Sequence, residues 1–172
     1  MAHIRHRELS KRKLSFFIVT VSTSRYRKKR NSEKYTDESG DIAEKVVKAK
    51  GHNVERRTLI SDDELQIKET LDSFLKSNGD VIVFTGGTGV SSRDLTVETV
   101  RQFFEKELEG YGELIRMLSY RKIGTAAILT RATAGIAKGK LIVCLPGSPD
   151  GVKLALEKTI SEFPHIVFIA RS

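Results

Sequence analysis

The stretch Val81-Ile-Val-Phe-Thr-Gly-Gly-Thr-Gly-Val-Ser-Ser-Arg-Asp94 decides the fold, because an apolar run stops there abruptly at a glycine-rich turn. Its four leading residues favour strands and predict a strand buried on both faces, as in a parallel sheet. Gly86, Gly87 and Gly89 allow backbone angles and close approaches that a Cβ would forbid. Apolar residues then recur at roughly helical spacing over residues 96–108, so the turn is expected to open into a helix.

The glycine-rich turn is predicted to bind phosphate. Free backbone N–H groups in such a turn attract anions, and so does the N-terminus of the helix that follows it. Asp94 is expected either to bind a metal ion or to cap this helix. The alternative interpretation is a turn that serves only to reverse the chain. The candidate ligand-binding residues of the turn are Thr85, Gly86, Gly87, Thr88, Gly89, Ser91 and Arg93.

Neither of two familiar phosphate-binding motifs is present. A P-loop requires glycine, four residues and then Gly-Lys-Ser/Thr, whereas the nearest match, residues 135–141, has the wrong spacing and no hydroxyl for magnesium. The dinucleotide fingerprint requires Gly or Ala where Ser92 stands, and it belongs to the first strand–helix unit of its sheet. If the turn binds phosphate, it does so as neither a P-loop nor a dinucleotide-binding loop.

Composition limits the classes of protein and partner. A chain of 172 residues predicts one domain, and a formal net charge of +8 favours anionic partners such as nucleotides, phosphorylated metabolites or nucleic acid. The lone cysteine, Cys144, lies in an apolar run and is expected in the core, which excludes an internal disulfide framework. No apolar run is long enough to span a membrane and no signal peptide is evident, so a soluble, cytoplasmic protein without a membrane partner is expected.

Strand-like and helix-like segments alternate along the chain. This alternation predicts an α/β fold, a three-layer αβα sandwich with a mostly parallel sheet that binds ligands at the carboxyl ends of its strands. Residues 1–13, rich in His, Arg and Lys, are expected to form a disordered arm before a domain of residues 14–172. Strands are predicted at residues 15–21, 54–59, 81–85, 125–130, 141–145 and 166–170, and helices at residues 39–50, 61–79, 96–108, 113–118 and 150–162.

Several separated motifs follow the order and spacing of one known family. They are Asp37-Glu-Ser-Gly40, Thr85-Gly-Gly-Thr-Gly89 with Arg93-Asp94 and Thr96, Gly110-Tyr-Gly-Glu113 with Arg116-Met-Leu-Ser119, Thr130-Arg-Ala132, and Leu145-Pro-Gly-Ser-Pro149. Together they resemble the MogA/MoaB family of molybdenum-cofactor biosynthesis, and their wording is nearer MoaB, from about residue 14 to residue 160. The resemblance implies a three-layer α/β fold, assembly as homo-trimers or homo-hexamers, and binding of molybdopterin.

The resemblance also implies an activity. Active members of the family adenylylate molybdopterin, whereas some bacterial MoaB proteins lose the Arg-Asp pair after the glycine turn and are thought not to; here Arg93 and Asp94 are both present. The implied reaction is attack of the molybdopterin terminal phosphate on the α-phosphorus of ATP, with release of pyrophosphate. Displacement between polyanions needs Mg²⁺, backbone donors and cationic side chains more than a protein nucleophile.

Three carboxylates are the candidate catalytic residues. Asp37, Asp62 and Asp94 fall at predicted strand-to-helix junctions and match acidic positions of the family. Together they are expected to orient the nucleotide and hold Mg²⁺, with Asp62 and Asp94 as the metal ligands. From the residues alone, helix capping by Asp37 and Asp94, and a first-turn acid at position 62, explain them equally well.

Three further groups are candidate contacts to the substrates. The turn Pro146-Gly147-Ser148 is expected to present a hydroxyl and an amide to a phosphate or pterin edge, with an ordinary strand-to-helix turn as the alternative. Glu113 and Ser119 are implied pterin contacts, with a surface helix as the alternative. Arg25 begins a basic run, residues 25–30, that is expected to be a loop steering anions toward the site.

Two other functions stay open at this point. A non-catalytic paralogue would bind molybdopterin without turnover. A nucleic-acid-binding protein would use the basic residues 1–13 and 25–30, but no aromatic interleaving or reading motif accompanies them. Adenylylation is the preferred function, with ATP and molybdopterin as substrates and Mg²⁺ as cofactor.

Overall fold

The sheet that carries the glycine-rich turn has six strands. A computed structural model describes residues 12–172, and its strands lie in the order β2-β1-β3-β6-β5-β4. The first four strands of that order are mutually parallel, and the last two close one edge in antiparallel pairing. The strands are β1 Ser15–Val21, β2 Asn53–Ile60, β3 Val81–Thr85, β4 Lys106–Glu107, β5 Thr133–Ala137 and β6 Lys140–Leu145.

Helices cover both faces of this sheet, which confirms the predicted αβα sandwich. In the described residues they are α1 Thr23–Arg30, α2 Glu38–Ala49, α3 Glu64–Lys76, α4 Thr96–Arg101, α5 Glu109–Ile123, α6 Pro149–Thr159 and α7 Phe163–Ala170, with 3₁₀ turns at Gly124–Leu129 and Ile160–Glu162. No helix within residues 12–172 combines the length and apolarity that crossing a bilayer requires.

The alternation of side chains along β1 divides the core into two layers. Phe16 and Ile18 pack with α2, α5, α6 and α7, whereas Phe17 and Val19 pack with α3 and α4 on the opposite face. Every residue of β3 is buried, as the uninterrupted apolar run predicts for a central parallel strand. Truncating Phe16 or Phe17 to alanine is expected to cost roughly 3–5 kcal/mol of stability.

Two predicted strands are helical in the structure. Residues 125–130 fall in the largely exposed 3₁₀ turn Gly124–Leu129. The strand that pairs with β6 is instead β5, whose Gly135 carries no side chain because a Cβ there would overlap the Phe104 ring. Residues 166–170 belong to α7, because Pro164 near the N-terminus of that helix favours a helical start and Val167 packs into the core.

Three other segments differ from the predicted boundaries. The basic run 25–30 is not a loop but most of α1, whose N-terminal cap is Ser22. The helix predicted over residues 96–108 ends at Arg101 and is followed by β4, while the helix predicted over 113–118 extends over Glu109–Ile123. Apart from Arg12 and Lys13, the expected basic arm of residues 1–13 lies outside the described residues.

Candidate functional site

The carboxyl ends of three neighbouring strands meet at residues 86–90, which we call the glycine loop. The Gly86 N–H donates to Leu145 O at the end of β6 at 3.2 Å. Gly86 has φ +95°, and a Cβ there would overlap Val21 O at the end of β1. A Cβ on Gly147 would lie 3.1 Å from the Gly86 Cα. Glycine is therefore required at position 86, which approaches the end of β1, and is favoured at position 147, where the turn after β6 approaches the glycine loop.

The hydrogen bonds of the glycine loop give it a distinct polarity. Its Gly87 carbonyl accepts the Thr96 N–H at 3.1 Å, and its Gly89 carbonyl accepts Arg131 Nη1 at 2.7 Å. By contrast, the N–H groups of residues 87–90 donate to no partner within residues 12–172. A loop whose N–H groups have no protein partner can donate hydrogen bonds from them to a bound anion.

The carboxylate of Asp62 lies directly beside this loop. Its Oδ1 accepts the Leu95 N–H at 3.0 Å, and a Cβ on Gly87 would lie 2.6 Å from its Oδ2. Burial raises the pKa of Asp62 above its ordinary value; the Leu95 N–H opposes this effect, and the charges of Asp94 and Glu98 add to it. Asp62 is not a residue of the first turn of α3, because the N-terminal cap of that helix is the next residue, Asp63.

Asp94 closes the segment that follows the loop. Its Oδ2 accepts the Ser91 N–H at 2.9 Å, and a Cβ on Gly89 would lie 2.8 Å from the same oxygen. The capping alternative for Asp94 is wrong, since Leu95 occupies the cap position of α4 and makes no side-chain capping bond. Thus two of the three predicted carboxylates, Asp62 and Asp94, lie around the glycine loop without capping a helix.

Asp37 performs the capping role instead. Its carboxylate accepts the Gly40 N–H at 3.1 Å at the start of α2, Thr20 Oγ1 at 2.9 Å and Arg57 Nη2 at 2.9 Å. Arg57 also forms ion pairs with Asp41 and Glu44. Asp37 lines a polar crevice of about 660 Å³ together with Lys29, Tyr35, Thr36, Asp41 and Arg57.

A resident metal site made only of protein side chains is not formed in the described part of the chain. No three His, Cys, Asp or Glu side chains there gather to hold one ion. The donors around Gly87 nevertheless fit Mg²⁺ carried by a nucleotide, because that ion takes one or two carboxylates and completes its shell with phosphate oxygens and water. Asp62 and Asp94 supply such carboxylates, and a buried hydroxyl without a partner in residues 12–172, Thr96 Oγ1, adjoins Gly87 as Asp62 does.

The threonine hydroxyls of the site are of two kinds: one is hydrogen-bonded to the protein, and the others have no partner in the described residues. Thr88, predicted to bind substrate, is buried and its hydroxyl donates to Leu145 O at 3.4 Å, so it fixes the loop to β6. The buried hydroxyl of Thr85 has no partner within residues 12–172. Register pairs Thr85 with Thr20, so both side chains project to the face that carries Asp37.

The turn Pro146-Gly147-Ser148 reaches the glycine loop through Gly147, whose added Cβ would lie 3.1 Å from the Gly86 Cα. Ser148 caps α6 by accepting the Gly151 N–H at 3.2 Å. Ser39 Oγ donates to Gly147 O at 2.6 Å and so ties this turn to the start of α2. Ser148 therefore caps a helix, as the ordinary-turn alternative expects. Gly147 and Ser148 are also exposed, so a ligand can reach the turn.

The remaining candidates make no side-chain bond to the glycine loop within the described residues. Arg25 is half-buried on α1, Glu113 is exposed and Ser119 is buried on α5, and Arg93 is exposed. Within residues 12–172, no side-chain hydrogen bond or ion pair joins any of them to the glycine loop. Their roles as substrate contacts stay predictions.

Two arginines that hold the site together were not predicted. Arg57 binds Asp37 from a strand that lies 20 residues farther along the chain. Arg131 binds the glycine loop across 42 residues and pairs with Glu98. Arg131 stands in the motif Thr130-Arg-Ala132, so a signal existed, but nothing local reveals its partners.

Comparison with known proteins agrees with this geometry. Residues 17–165 match the family described as "Probable molybdopterin binding domain". The chain is 39% identical to a "Probable molybdopterin adenylyltransferase" of Methanocaldococcus jannaschii over 90% of this chain and 92% of that protein. It is 40% identical to "Molybdenum cofactor biosynthesis protein B" of Staphylococcus aureus strain Mu50, over 87% of this chain and 88% of that protein.

A solved structure extends the match to three dimensions. The tungsten cofactor synthesizing protein MoaB from Pyrococcus furiosus superposes with a TM-score of 0.83 at 37% identity, covering 94% of this chain and 99% of that chain. The resemblance carried by the sequence motifs is thereby confirmed. The chain belongs to the MoaB/MogA family of molybdopterin-binding proteins of molybdenum-cofactor biosynthesis.

Proposed function

We propose that this protein adenylylates molybdopterin, with ATP as the second substrate. The observation that carries the proposal is the polarity of the glycine loop, whose N–H groups at residues 87–90 have no partner within residues 12–172. Beside it stand the carboxylates of Asp62 and Asp94, neither of which caps a helix. The name of the relative from Methanocaldococcus jannaschii supports the same activity.

In the proposed reaction, a terminal phosphate oxygen of molybdopterin attacks the α-phosphorus of ATP. A bond forms between that oxygen and the α-phosphorus, the bond from the α-phosphorus to the bridging oxygen breaks, and pyrophosphate leaves with the electron pair. No protein nucleophile is required, so the chain contributes positioning and charge stabilisation. The loop N–H groups bind phosphate oxygens, and the adjoining turn at Gly147 and Ser148 borders the bound substrate.

Mg²⁺ is part of this proposal. When bound with the nucleotide it neutralises charge that develops on the phosphates. Asp62 and Asp94 would hold it, and Glu98 adds negative charge near Asp62. Asp37 acts from the neighbouring strand end, where its bonds to Thr20 and Arg57 fix the start of α2.

We further propose that the protein is a homo-oligomer, the trimer or hexamer that the family resemblance implies. Helix α5 leaves four large apolar side chains exposed, and the 3₁₀ turn after it adds two more. Large apolar side chains exposed along one segment of a small protein favour a protein–protein interface. These side chains are Leu114, Met117, Tyr120, Ile123, Ile128 and Leu129.

The activity is tested by incubating the purified protein with molybdopterin, ATP and Mg²⁺. We expect adenylylated molybdopterin and pyrophosphate to form in equal amounts. Binding of molybdopterin without either product would identify a non-catalytic paralogue and overturn the proposal. Assembly is measured separately by light scattering after size-exclusion chromatography, where a monomer that stays monomeric at high concentration would reject the oligomer.

A further inference from the structure

Arg131 is the fixed cation of the glycine loop. It lies just before β5, where its Nη1 donates to Gly89 O at 2.7 Å and its Nη2 pairs with the Glu98 carboxylate on α4. Its side chain is 28% exposed, so the guanidinium is partly shielded from water while it makes both contacts. Arg93, a predicted ligand-binding residue of the same turn, is exposed and makes no ion pair within residues 12–172.

The two contacts of Arg131 constrain the orientation of the loop. A guanidinium is planar, and its N–H groups form a rigid fork, so two acceptors bound at once fix their relative positions. Here one acceptor is the loop carbonyl of Gly89 and the other is a side chain of the helix that follows the loop. Arg131 holds the Gly89 carbonyl in place. The N–H groups of residues 87–90, which have no partner within residues 12–172, can then donate to an anion.

The position of Arg131 is itself supported from α5. The next residue, Ala132, offers its carbonyl to Arg116 Nη1 at 3.5 Å, and a Cβ on Gly112 would lie 2.7 Å from the same carbonyl. The close approach of α5 therefore holds the chain at the start of β5. Arg131 thus connects the glycine loop to the segment that packs against α5, the helix that carries the motif of residues 110–119.

We propose that Arg131 is a positioning residue for the reaction: it holds the glycine loop with its N–H groups available to phosphate and sets a positive charge beside the bound anion. This inference rests on the proposed function, because the loop must bind a phosphate of a substrate. It assigns to Arg131 a role in phosphate affinity that goes beyond holding the fold together.

The test measures pyrophosphate affinity by calorimetry, together with the thermal midpoint, for the wild type and three variants. Arg131→Gln is expected to weaken binding roughly tenfold, because a charge-assisted hydrogen bond is lost from the loop. Arg131→Lys keeps the charge but cannot hold both acceptors as the planar fork does, so it is expected to recover less than half of that loss in binding free energy. Neither change is expected to prevent folding.

Arg101→Gln is the matched control. Arg101 is the last residue of α4 and, like Arg131, pairs with a glutamate: its Nη2 lies 2.8 Å from Glu107 Oε1. No hydrogen bond or ion pair joins Arg101 to the glycine loop within residues 12–172. Its variant is expected to bind pyrophosphate like the wild type. In turnover assays, Arg131→Gln is expected to raise KM for ATP more than it lowers kcat.

Three results would overturn the inference. They are unchanged affinity in Arg131→Gln, full recovery in Arg131→Lys, which would mean that charge alone acts, and an equal loss in Arg101→Gln. Failure of the proposed function is distinguishable from these results. A wild type that binds pyrophosphate but forms no adenylylated product rejects the activity, whereas the affinities of the variants still decide the role of Arg131.

Discussion

The amino ends and the carboxyl ends of the parallel strands carry buried polar groups of two different kinds. At the amino ends, the buried Asp80 carboxylate accepts the Ser15 N–H at 2.9 Å and pairs with Arg171 at 2.8 Å. Lys140, also buried, donates from Nζ to Phe74 O at 2.9 Å and to Ser77 O at 2.5 Å. Burial lowers the pKa of Lys140, and the charge of Arg171 lowers it further.

At the carboxyl ends, several polar groups beside the glycine loop have no hydrogen-bond partner in the described residues. The N–H groups of residues 87–90 and the buried hydroxyls of Thr85 and Thr96 have no partner within residues 12–172. Carboxylates also crowd together there, and this contributes to the raised pKa of Asp62. Buried polar groups in proteins are almost always hydrogen-bonded, so the two threonine hydroxyls beside the glycine loop favour a ligand there. The other two buried side-chain atoms without a hydrogen-bond partner in residues 12–172 are Asp80 Oδ1, which is ion-paired with Arg171, and the Tyr111 hydroxyl. We therefore assign stabilisation of the fold to the amino ends and propose ligand binding for the carboxyl ends.

The largest effect is expected from placing a side chain in the glycine loop. Gly87→Val should abolish phosphate binding and turnover, because a Cβ at φ +63° would overlap Thr96 Oγ1 and crowd Asp62. Gly51→Val is the control for backbone strain, since Gly51 has φ +83° with no atom within 4 Å of its added Cβ. Calorimetric binding of pyrophosphate and a turnover assay are measured for both. Normal binding by Gly87→Val would break the comparison.

Removing one charge at the carboxyl ends is expected to have the next largest effect. Asp94→Asn can still accept the Ser91 N–H, so the turn survives, but turnover should fall roughly 100-fold while molybdopterin binding changes little. Asp63→Asn is the matched control, because Asp63 caps α3 and asparagine caps equally well. Steady-state kinetics and pterin binding are compared. If Asp94→Asn turns over at the wild-type rate, the carboxylate serves only the turn.

At the amino ends, the effect should fall on stability instead of activity. Asp80→Ala leaves the partly buried Ser15 N–H and the Arg171 guanidinium without their carboxylate, and is expected to cost about 2–4 kcal/mol of unfolding free energy. At a temperature where the variant is folded, kcat/KM should equal that of the wild type. Denaturant unfolding and kinetics on the same preparation check this. A loss of activity as large as that of Asp94→Asn would erase the distinction between the two ends.

A smaller effect is expected from the basic helix α1. Neutralising Arg25, Lys28 and Lys29 together should lower kcat/KM about three- to tenfold at low ionic strength and much less at high salt, because their contribution is long-range attraction of polyanions. The matched control neutralises the exposed Lys45, Lys50 and Lys76, which lie on α2 and α3 or at their C-terminal ends. A loss that does not depend on salt, or an equal loss in the control, would reject steering by α1.

The smallest effect is a gain in stability from Asp62→Asn. Because the pKa of Asp62 is raised in the folded state, the native protein binds this proton more tightly than the unfolded chain does. Ionising Asp62 therefore costs stability as the pH rises past the ordinary aspartate value and through the raised one. The asparagine variant should be slightly more stable than the wild type at neutral pH, and the gain should vanish in acid. Urea unfolding of both proteins from roughly pH 3 to pH 8 measures the stability gain. A gain that persists at the acid end would show that it does not come from the ionisation of Asp62.

Local pattern predicted the centre of the fold and the position of its loop. The strands β1 and β3 have the expected bounds, because uninterrupted apolar runs ending in turn residues occur in both. Residues 125–130 and 166–170 also contain strand-favouring residues, but β5 occupies the edge beside β6 and Pro164 starts a helix. Tertiary competition for sheet positions is not visible in a local window.

The candidate site shows the same division. The glycine loop was found because its residues are consecutive, whereas Arg57 and Arg131 were missed because their partners are distant in sequence. The choice between cap and ligand depended on single-residue offsets. Asp63 caps α3 where Asp62 does not, and helix boundaries read from sequence are not resolved to one residue.

Hydrogen–deuterium exchange of the backbone amides, with and without pyrophosphate, tests the central claim most directly. Amides of residues 87–90 have no partner within residues 12–172, so they are expected to exchange rapidly in the free protein. Bound pyrophosphate should slow their exchange and leave Ser15 and the other amino-end amides unchanged. Slowing that appears elsewhere, while residues 87–90 exchange as fast as before, would contradict the account.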